Sequence, residues 1–413
     1  MSKKVVVIGG GVIGLCSAYY LAKEGHQVVV IDKTDMLDGA SYGNAGMIVP
    51  SHIIPLAQPG VIQKGIKWMF NTKSPFYVKP KASLELVNWL YQFYKNSTQT
   101  HVNNSMQHLK NLSFLSKALY QEFAKTNKNF LYQEKGLLML YQNEKTGEEE
   151  LKTAKIAQQF GINVDILDNK QVQNIEKGTT VHALGAVHYK TDAHLSPHLF
   201  LKFLKEEVLK MKVKLLANTE IIDFKLNHTT IQEVKTPIGS IKADSFVMAA
   251  GSWSSQLLKK LEIKLALLPG KGYSFDVSRT QNLPSVPAIL CEGKVAVTPL
   301  NATVRFGGTL EITTTNDKKI NLKRLLGIVE NIHSFYPDIN LQTPTKEKVW
   351  TGFRPCTSSG LPIIEQSKKF NNLIISTGHA MMGLSLAPAT GKLVSELVSN
   401  TKTSIDISAF KIK

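Results

Sequence analysis

The sequence predicts an α/β fold in two parts, a Rossmann-like βαβ domain and a second, mixed-sheet α+β domain. Three observations predict it. The chain opens on a β-branched run, Val5-Val6-Val7-Ile8, then a turn with glycine at its first, third and sixth positions, then a helical run. It closes on a second strand, glycine turn and helix start, from Leu373 to Ala389. At 413 residues it exceeds what one hydrophobic core supports, so two domains are expected.

The opening unit is a dinucleotide-binding fingerprint in its full context. Gly9 serves a tight turn, Gly11 lets the backbone approach a pyrophosphate, and Gly14 allows helix to pack on strand. A diphosphate would lie at the N-terminus of the helix running from Leu15 to Glu24, where free N–H groups and the dipole meet its charge. The second strand, Val28 to Ile31, ends in Asp32, placed to accept from a ribose diol. The fingerprint alone does not separate FAD from NAD. The small-residue stretch Gly39 to Met47 favours FAD, because an extended flavin needs a second surface of closely approaching backbone.

Composition narrows the class. A 43% hydrophobic and 20% charged content describes a folded globular chain. No run of eighteen apolar residues offers a membrane span, and glycines break the apolar N-terminus before it could act as a signal peptide. The three cysteines, Cys16, Cys291 and Cys356, lie far apart with no metal spacing, as expected of a cytoplasmic protein. The net charge of +17 comes almost wholly from lysine, with arginine only at 279, 305, 324 and 354. That balance argues against nucleic acid, whose readers favour arginine, and leaves a solvated lysine surface with weak attraction to anionic lipid.

Residues 48 to 70 are punctuated by Pro50, Pro55, Pro59, Gly60 and Gly65, which argues against long regular elements. Trp68-Met69-Phe70 suits an apolar lid and, secondarily, a lipid surface. Helical periodicity spans 83–96, with Leu84, Val87, Leu90 and Tyr91 on one face, and 103–126, with Leu109, Leu112, Leu119 and Phe123 on another. Both are expected as cap helices. A strand at Gly136–Leu140 and a helix from Glu148 to Phe160 follow. Ser196-Pro197 then opens a helix to about Met211. Strands are expected at 213–216, 219–224, 231–236 and 241–242, before the buried strand Phe246–Ala250. Antiparallel strands are expected at 295–299 and 303–309, and a helix at 322–336. His194 and His198 flank the helix start and share no face, so no metal is expected.

Together these stretches resemble the D-amino-acid oxidase and glycine oxidase superfamily of flavoproteins, and within it the D-amino acid dehydrogenase branch. The pieces are Val7 to Gly14, Asn44-Ala45-Gly46, Ala57 to Gly60, Ile66 to Phe70, Lys271 to Ser274, Arg305 to Thr309, Gly352 to Pro355 and Thr377-Gly378-His379. The resemblance implies a glutathione-reductase-type nucleotide domain at 1–55, 150–255 and 348–413, with a substrate domain at 56–149 and 256–347. It implies non-covalent FAD, and the residues expected around it are Gly9, Gly11, Val12, Ile13, Gly14, Asp32, Lys33, Ser41, Asn44, Ala45, Gly46, Met47, Ile221, Ala250, Gly251, Gly378, His379, Met382, Gly383 and Leu384.

In glycine oxidase relatives the arginine matching Arg354 binds the substrate carboxylate, which suits a planar two-pronged donor. A second arginine of those relatives is replaced here by Met381, which turns the expectation from glycine toward a more apolar substrate. Tyr273 is expected to add a hydroxyl to the carboxylate, and His52 to lie near the substrate entrance. The implied reaction is oxidation of a D-amino acid by hydride transfer from Cα to flavin N5, with electrons passing to a quinone, the respiratory chain or another non-oxygen acceptor; the lysine-rich surface permits a peripheral membrane contact. A cyclic secondary amine such as D-proline, oxygen as the acceptor, or a flavin-binding protein without turnover are the alternatives.

Overall fold

The computed structural model describes residues 1–69, 71–79, 83–278 and 282–412. In chain order the elements are β1 Lys4–Ile8, α1 Val12–Lys23, β2 Gln27–Ile31, β3 Met47–Ile48, α2 Val61–Met69, β4 Phe76–Val78, α3 Leu84–Asn96, α4 Gln99–Thr126, β5 Leu137–Tyr141, α5 Glu144–Gln159, β6 Val164–Asp168, α6 Asn169–Ile175, β7 Gly185–Tyr189, β8 Ala193–His194, α7 Pro197–Lys210, β9 Lys214–Leu216, β10 Asp223–Asn227, β11 Thr230–Thr236, β12 Gly239–Lys242, β13 Ser245–Met248, α8 Ser254–Lys260, β14 Leu267–Ser278, β15 Ala288–Leu290, β16 Val295–Leu300, β17 Thr303–Ile312, α9 Leu322–Phe335, β18 Trp350–Thr357, β19 Ile363–Gln366, β20 Leu373–Thr377 and α10 Gly383–Val398.

Two large sheets organise these elements. The first has the order β19-β20-β13-β1-β2-β9 and is parallel apart from its edge strand β19. Its strands are buried on both faces, which is why they read as unbroken valine and isoleucine. Val5 and Val7 pack into one core with α1, α4, α7 and α10. Val6 and Ile8 face the other way, onto the β10–β11–β12 meander. Helices α1 and α10 cross so closely that a Cβ on Gly391 would lie 2.5 Å from the Cys16 carbonyl carbon.

The second sheet is mixed, with the order β18-β14-β17-β16-β15-β5-β7-β6 and β4 added beside β17. Its far face is closed by α9, around Tyr273, Phe275, Phe306, Leu325 and Ile328. Its strand membership departs from the expected segments. β6, β7 and β18 belong to this sheet, although 150–255 and 348–413 were expected on the nucleotide side. Conversely α4, expected in the cap, packs Leu109, Leu112, Leu119 and Phe123 into the nucleotide core. Periodicity shows that such elements form, whereas their partners are chosen by long-range packing.

Three local expectations also change. Residues 61–69 form a helix despite the nearby prolines, because Pro59 and Gly60 precede it and only Gly65 lies within it. Extended pairing in the first meander strand begins at Asp223, not Thr219. Helix α3 has two apolar faces, and it buries the aromatic one: Trp89 and Phe93 stack at 4.9 Å, and Trp89 Nε1 donates to the Cys356 carbonyl at 2.9 Å. Leu84, Val87, Leu90 and Tyr91, the face read from the periodicity, are exposed, Leu84 by 89%. Phe70 lies outside the described residues, as does Arg279.

Candidate active site

Between the two sheets lies a cavity of about 2220 Å³, well above the 300–1,000 Å³ usual for one small ligand. One end is built by the opening fingerprint. Gly9 has φ +112°, a conformation glycine adopts freely, and a Cβ on Gly14 would stand 1.8 Å from the Gly9 carbonyl. This closeness brings the start of α1 up against β1. Gly9, Gly11, Val12 and Ile13 line the cavity there. Ser41 Oγ accepts from the Val12 N–H at 3.1 Å and so serves the helix start that Gly11 leaves without a side-chain cap.

Asp32 stands at the tip of β2 and lines the cavity. Its Oδ2 accepts from the Gly10 N–H at 2.6 Å, and its Oδ1 accepts from the Thr34 N–H and hydroxyl at 2.9 Å each. The carboxylate is thus pinned over the glycine turn, with lone pairs left for a diol. Lys33 lies 4.0 Å over the Trp253 ring. Ile221, Ala250 and Gly251 continue the same wall.

Two glycines of the stretch from 39 to 47 also meet protein atoms closely. A Cβ on Gly43 would lie 2.1 Å from the Trp350 ring, and one on Gly46 would lie 2.3 Å from the Leu195 carbonyl. Protein is therefore the near neighbour at both glycines. The stretch still lines the cavity, through Gly39, Ser41, Gly43, Asn44, Ala45 and Met47. Arg305 holds this loop, donating to the carbonyls of Tyr42 and Asn44 at 3.2 and 2.9 Å while paired to Asp276 through both carboxylate oxygens.

The C-terminal strand and helix supply the opposite wall, through His379, Met382, Gly383 and Leu384. The His379 ring bonds Thr390 Oγ1 at 3.0 Å, and burial holds its pKa down at about 3. It therefore stays neutral and braces α10. Gly378, Gly14 and Gly46 do not line the cavity; they shape the turns around it.

The three expected substrate residues, Arg354, His52 and Tyr273, all border this cavity. On β18 the Arg354 guanidinium lies over Gly272, where a Cβ would come within 2.1 Å of Nη1. Nη1 donates to the Thr309 carbonyl at 2.6 Å, and Arg354 has no ion-pair partner among the described residues. Thr309 itself holds φ +68°, an outlier for a β-branched residue. Two other arginines are engaged: Arg305 by Asp276, and Arg324 by Ser74 and the Tyr77 ring. A half-buried guanidinium without an anion is costly, and a ligand carboxylate is the partner it lacks.

Tyr273 borders the cavity, but its hydroxyl is engaged away from Arg354. Gly272 and Ser274 face the nucleotide side, Ser274 Oγ reaching the Gly43 carbonyl at 2.8 Å, so alternation turns Tyr273 to the far face. Its hydroxyl donates to buried Glu311 and accepts from the Asn321 N–H at 3.0 Å. Sequence reasoning missed that Lys271, Glu311 and Asp317 form a buried charge cluster behind this strand.

It also missed the mouth. Ile66, Met69 and Leu90, all exposed, line the cavity at α2 and α3 and mark a mouth there, while Leu84, Val87, Tyr91 and Tyr94 carry an apolar face outward. Among the described residues no helix is long and apolar enough to cross a membrane.

A parallel dinucleotide sheet, a mixed second sheet and a ligand-sized cleft between them define a cofactor-dependent oxidoreductase. The chain belongs to the DAO family of FAD dependent oxidoreductases, which it matches over residues 4–397. It is 31% identical over 398 residues to a D-amino acid dehydrogenase of Helicobacter pylori, covering 96% of this chain and 95% of that one. It is 32% identical over 411 residues to a D-amino acid dehydrogenase of Vibrio atlanticus, covering 97% of each. The fold matches glycine oxidase from Geobacillus kaustophilus with a TM-score of 0.79 at 22% identity, over 100% of this chain and 98% of that one.

Proposed function

We propose that the protein oxidises D-amino acids to imino acids, which water converts to 2-oxo acids, and passes the electrons to a quinone at a lipid surface. The observation that carries this is Arg354: an unpaired guanidinium at the wall of a cleft whose other end is a dinucleotide turn. The choice of D-amino acids rests on the names of the full-length relatives.

FAD, when bound, supplies the hydride acceptor and carries the electrons onward. The turn at Gly9–Gly14 and the start of α1 would hold its diphosphate, Asp32 its ribose, and the start of α10 the ring end. The cysteines Cys16, Cys291 and Cys356 are buried and none lines the cavity, which supports non-covalent binding. Arg354 fixes the substrate carboxylate, and Met139, Ile289, Ala296 and Met381 give its side chain an apolar wall. The exposed apolar face of α3, the mouth beside it and a lysine-rich surface favour an acceptor taken from lipid.

Anaerobic bleaching of the FAD-loaded protein tests the reading. D-alanine or D-proline should bleach it and their L-forms should not, and a soluble quinone should restore the colour without peroxide. Bleaching by neither D-compound, or peroxide as the main product on aeration, would overturn it.

A further inference from the structure

Oxidation of an amino acid at Cα requires a neutral amine, yet amino acids arrive as ammonium ions. The cleft must therefore dispose of a proton, and Arg354 cannot accept one.

The antiparallel pair β3–β8, with Met47 opposite His194 and Ile48 opposite Ala193, brings two distant loops together. Ser51 follows β3, and Asp192 immediately precedes β8. Asp192 is fully buried, and its carboxylate has no ion-pair partner among the described residues. It accepts instead from one residue twice, the Ser51 N–H at 3.1 Å and the Ser51 hydroxyl at 2.5 Å. Ser51 Oγ is also 3.0 Å from His52 Nδ1.

A hydroxyl has one proton. While Ser51 gives its proton to Asp192, it can only accept from His52, so Nδ1 carries hydrogen and Nε2 is left as an acceptor. Nε2 has no protein partner among the described residues, and His52 lines the same cavity as Arg354.

We propose that His52, Ser51 and Asp192 form a proton path that takes the substrate's ammonium proton into the protein before Cα is oxidised. The proposal rests on the amino-acid reading above. In the step, an N–H bond of the ammonium breaks as one forms at His52 Nε2. The Nδ1 proton moves to Ser51 Oγ, and the Ser51 proton moves to Asp192. The three hydrogen bonds reverse direction, Asp192 ends neutral, and the proton returns along the same chain once product has left.

The surroundings suit that direction. Burial pushes Asp192 up to about 7, partly opposed by the Ser51 bonds and by Lys117 of α4. Burial, with Lys294 of the β15–β16 turn, holds His52 down at about 4, so it carries the proton only in passing. Lys294 is itself paired with Glu150 of α5 at 3.4 Å, and Tyr189 of β7 also faces Asp192.

The test compares anaerobic bleaching rates of wild type, Ser51→Ala and Asp192→Asn at about pH 7 and about pH 10, where more of the substrate amine is already neutral. Each variant should lose tenfold or more at the lower pH, within the range of general acid–base effects, and about threefold or less at the higher. An equal loss at both pH values marks a structural role and overturns the path, as does no loss at pH 7. Infrared difference spectra between about pH 5 and 9 give a readout free of turnover. A titrating carboxyl band should be present in wild type, shifted in Ser51→Ala and missing in Asp192→Asn. Its absence from wild type overturns the path even if no substrate bleaches the protein, a result that would separately sink the functional reading.

Discussion

The Arg354 guanidinium rests on the backbone of Gly272, a contact that any side chain at position 272 would break. Because the clashing atoms are the free end of a long side chain, Gly272→Ala should fold and bind FAD while displacing the guanidinium. The Michaelis constant for a D-amino acid should rise by about ten- to a hundredfold with a smaller change in kcat, as for loss of a uniform binding contact. Steady-state kinetics beside a flavin absorbance spectrum would show it, and an unchanged Michaelis constant would remove Arg354 from the carboxylate.

Tyr273 gives the opposite expectation. Tyr273→Phe removes the donor to Glu311 and the acceptor for Asn321, leaving buried polar groups unpaired at a cost of about 1–3 kcal/mol. Denaturant unfolding should register that loss, whereas the Michaelis constant should stay within about twofold. A large kinetic effect in a protein of normal stability would put the Tyr273 hydroxyl on the substrate instead.

Stability should fall as the solution becomes acidic. Burial holds His52 and His194 at about 4 and His379 at about 3. Their lowered folded-state values mean that the unfolded chain takes up more protons between about pH 6.5 and 4, which favours unfolding there. Asp192 works in the other direction: its value, raised to about 7, penalises the folded state as pH rises from about 4 to 7. Three histidines outweigh one carboxyl, so the thermal midpoint should drop toward pH 4. In Asp192→Asn the neutral-pH penalty is gone, and the variant should gain up to about 4 kcal/mol relative to wild type at pH 8 against pH 4. A midpoint flat from pH 7 to 4 would contradict this balance.

The exposed face of α3 should matter for lipid and not for chemistry. Leu84→Glu with Val87→Glu should weaken co-sedimentation with anionic vesicles about tenfold or more, given the apolar area each side chain would bury. Flavin content and bleaching by D-amino acids should not change. Vesicle binding equal to wild type would leave this face without its proposed partner.

What the sequence determined by itself was the local grammar at the two chain ends. A β-branched run, glycines at fixed offsets and an acid eighteen residues beyond Gly14 allow few backbone paths, so the turn, the position of Asp32 and the α10 start were legible. The scarcity of arginine likewise marked Arg354. Only the tertiary structure decided which face of α3 is buried, that α4 belongs with the nucleotide sheet, and that Tyr273 turns to Glu311 while Gly272 receives Arg354. It alone brought Asp192 to Ser51 across 141 positions. The physical reason is that periodicity fixes the faces of an element, whereas its partner is settled by competition among apolar surfaces distant in the chain. A polar residue such as Asp192 carries no local pattern at all until folding gives it a neighbour.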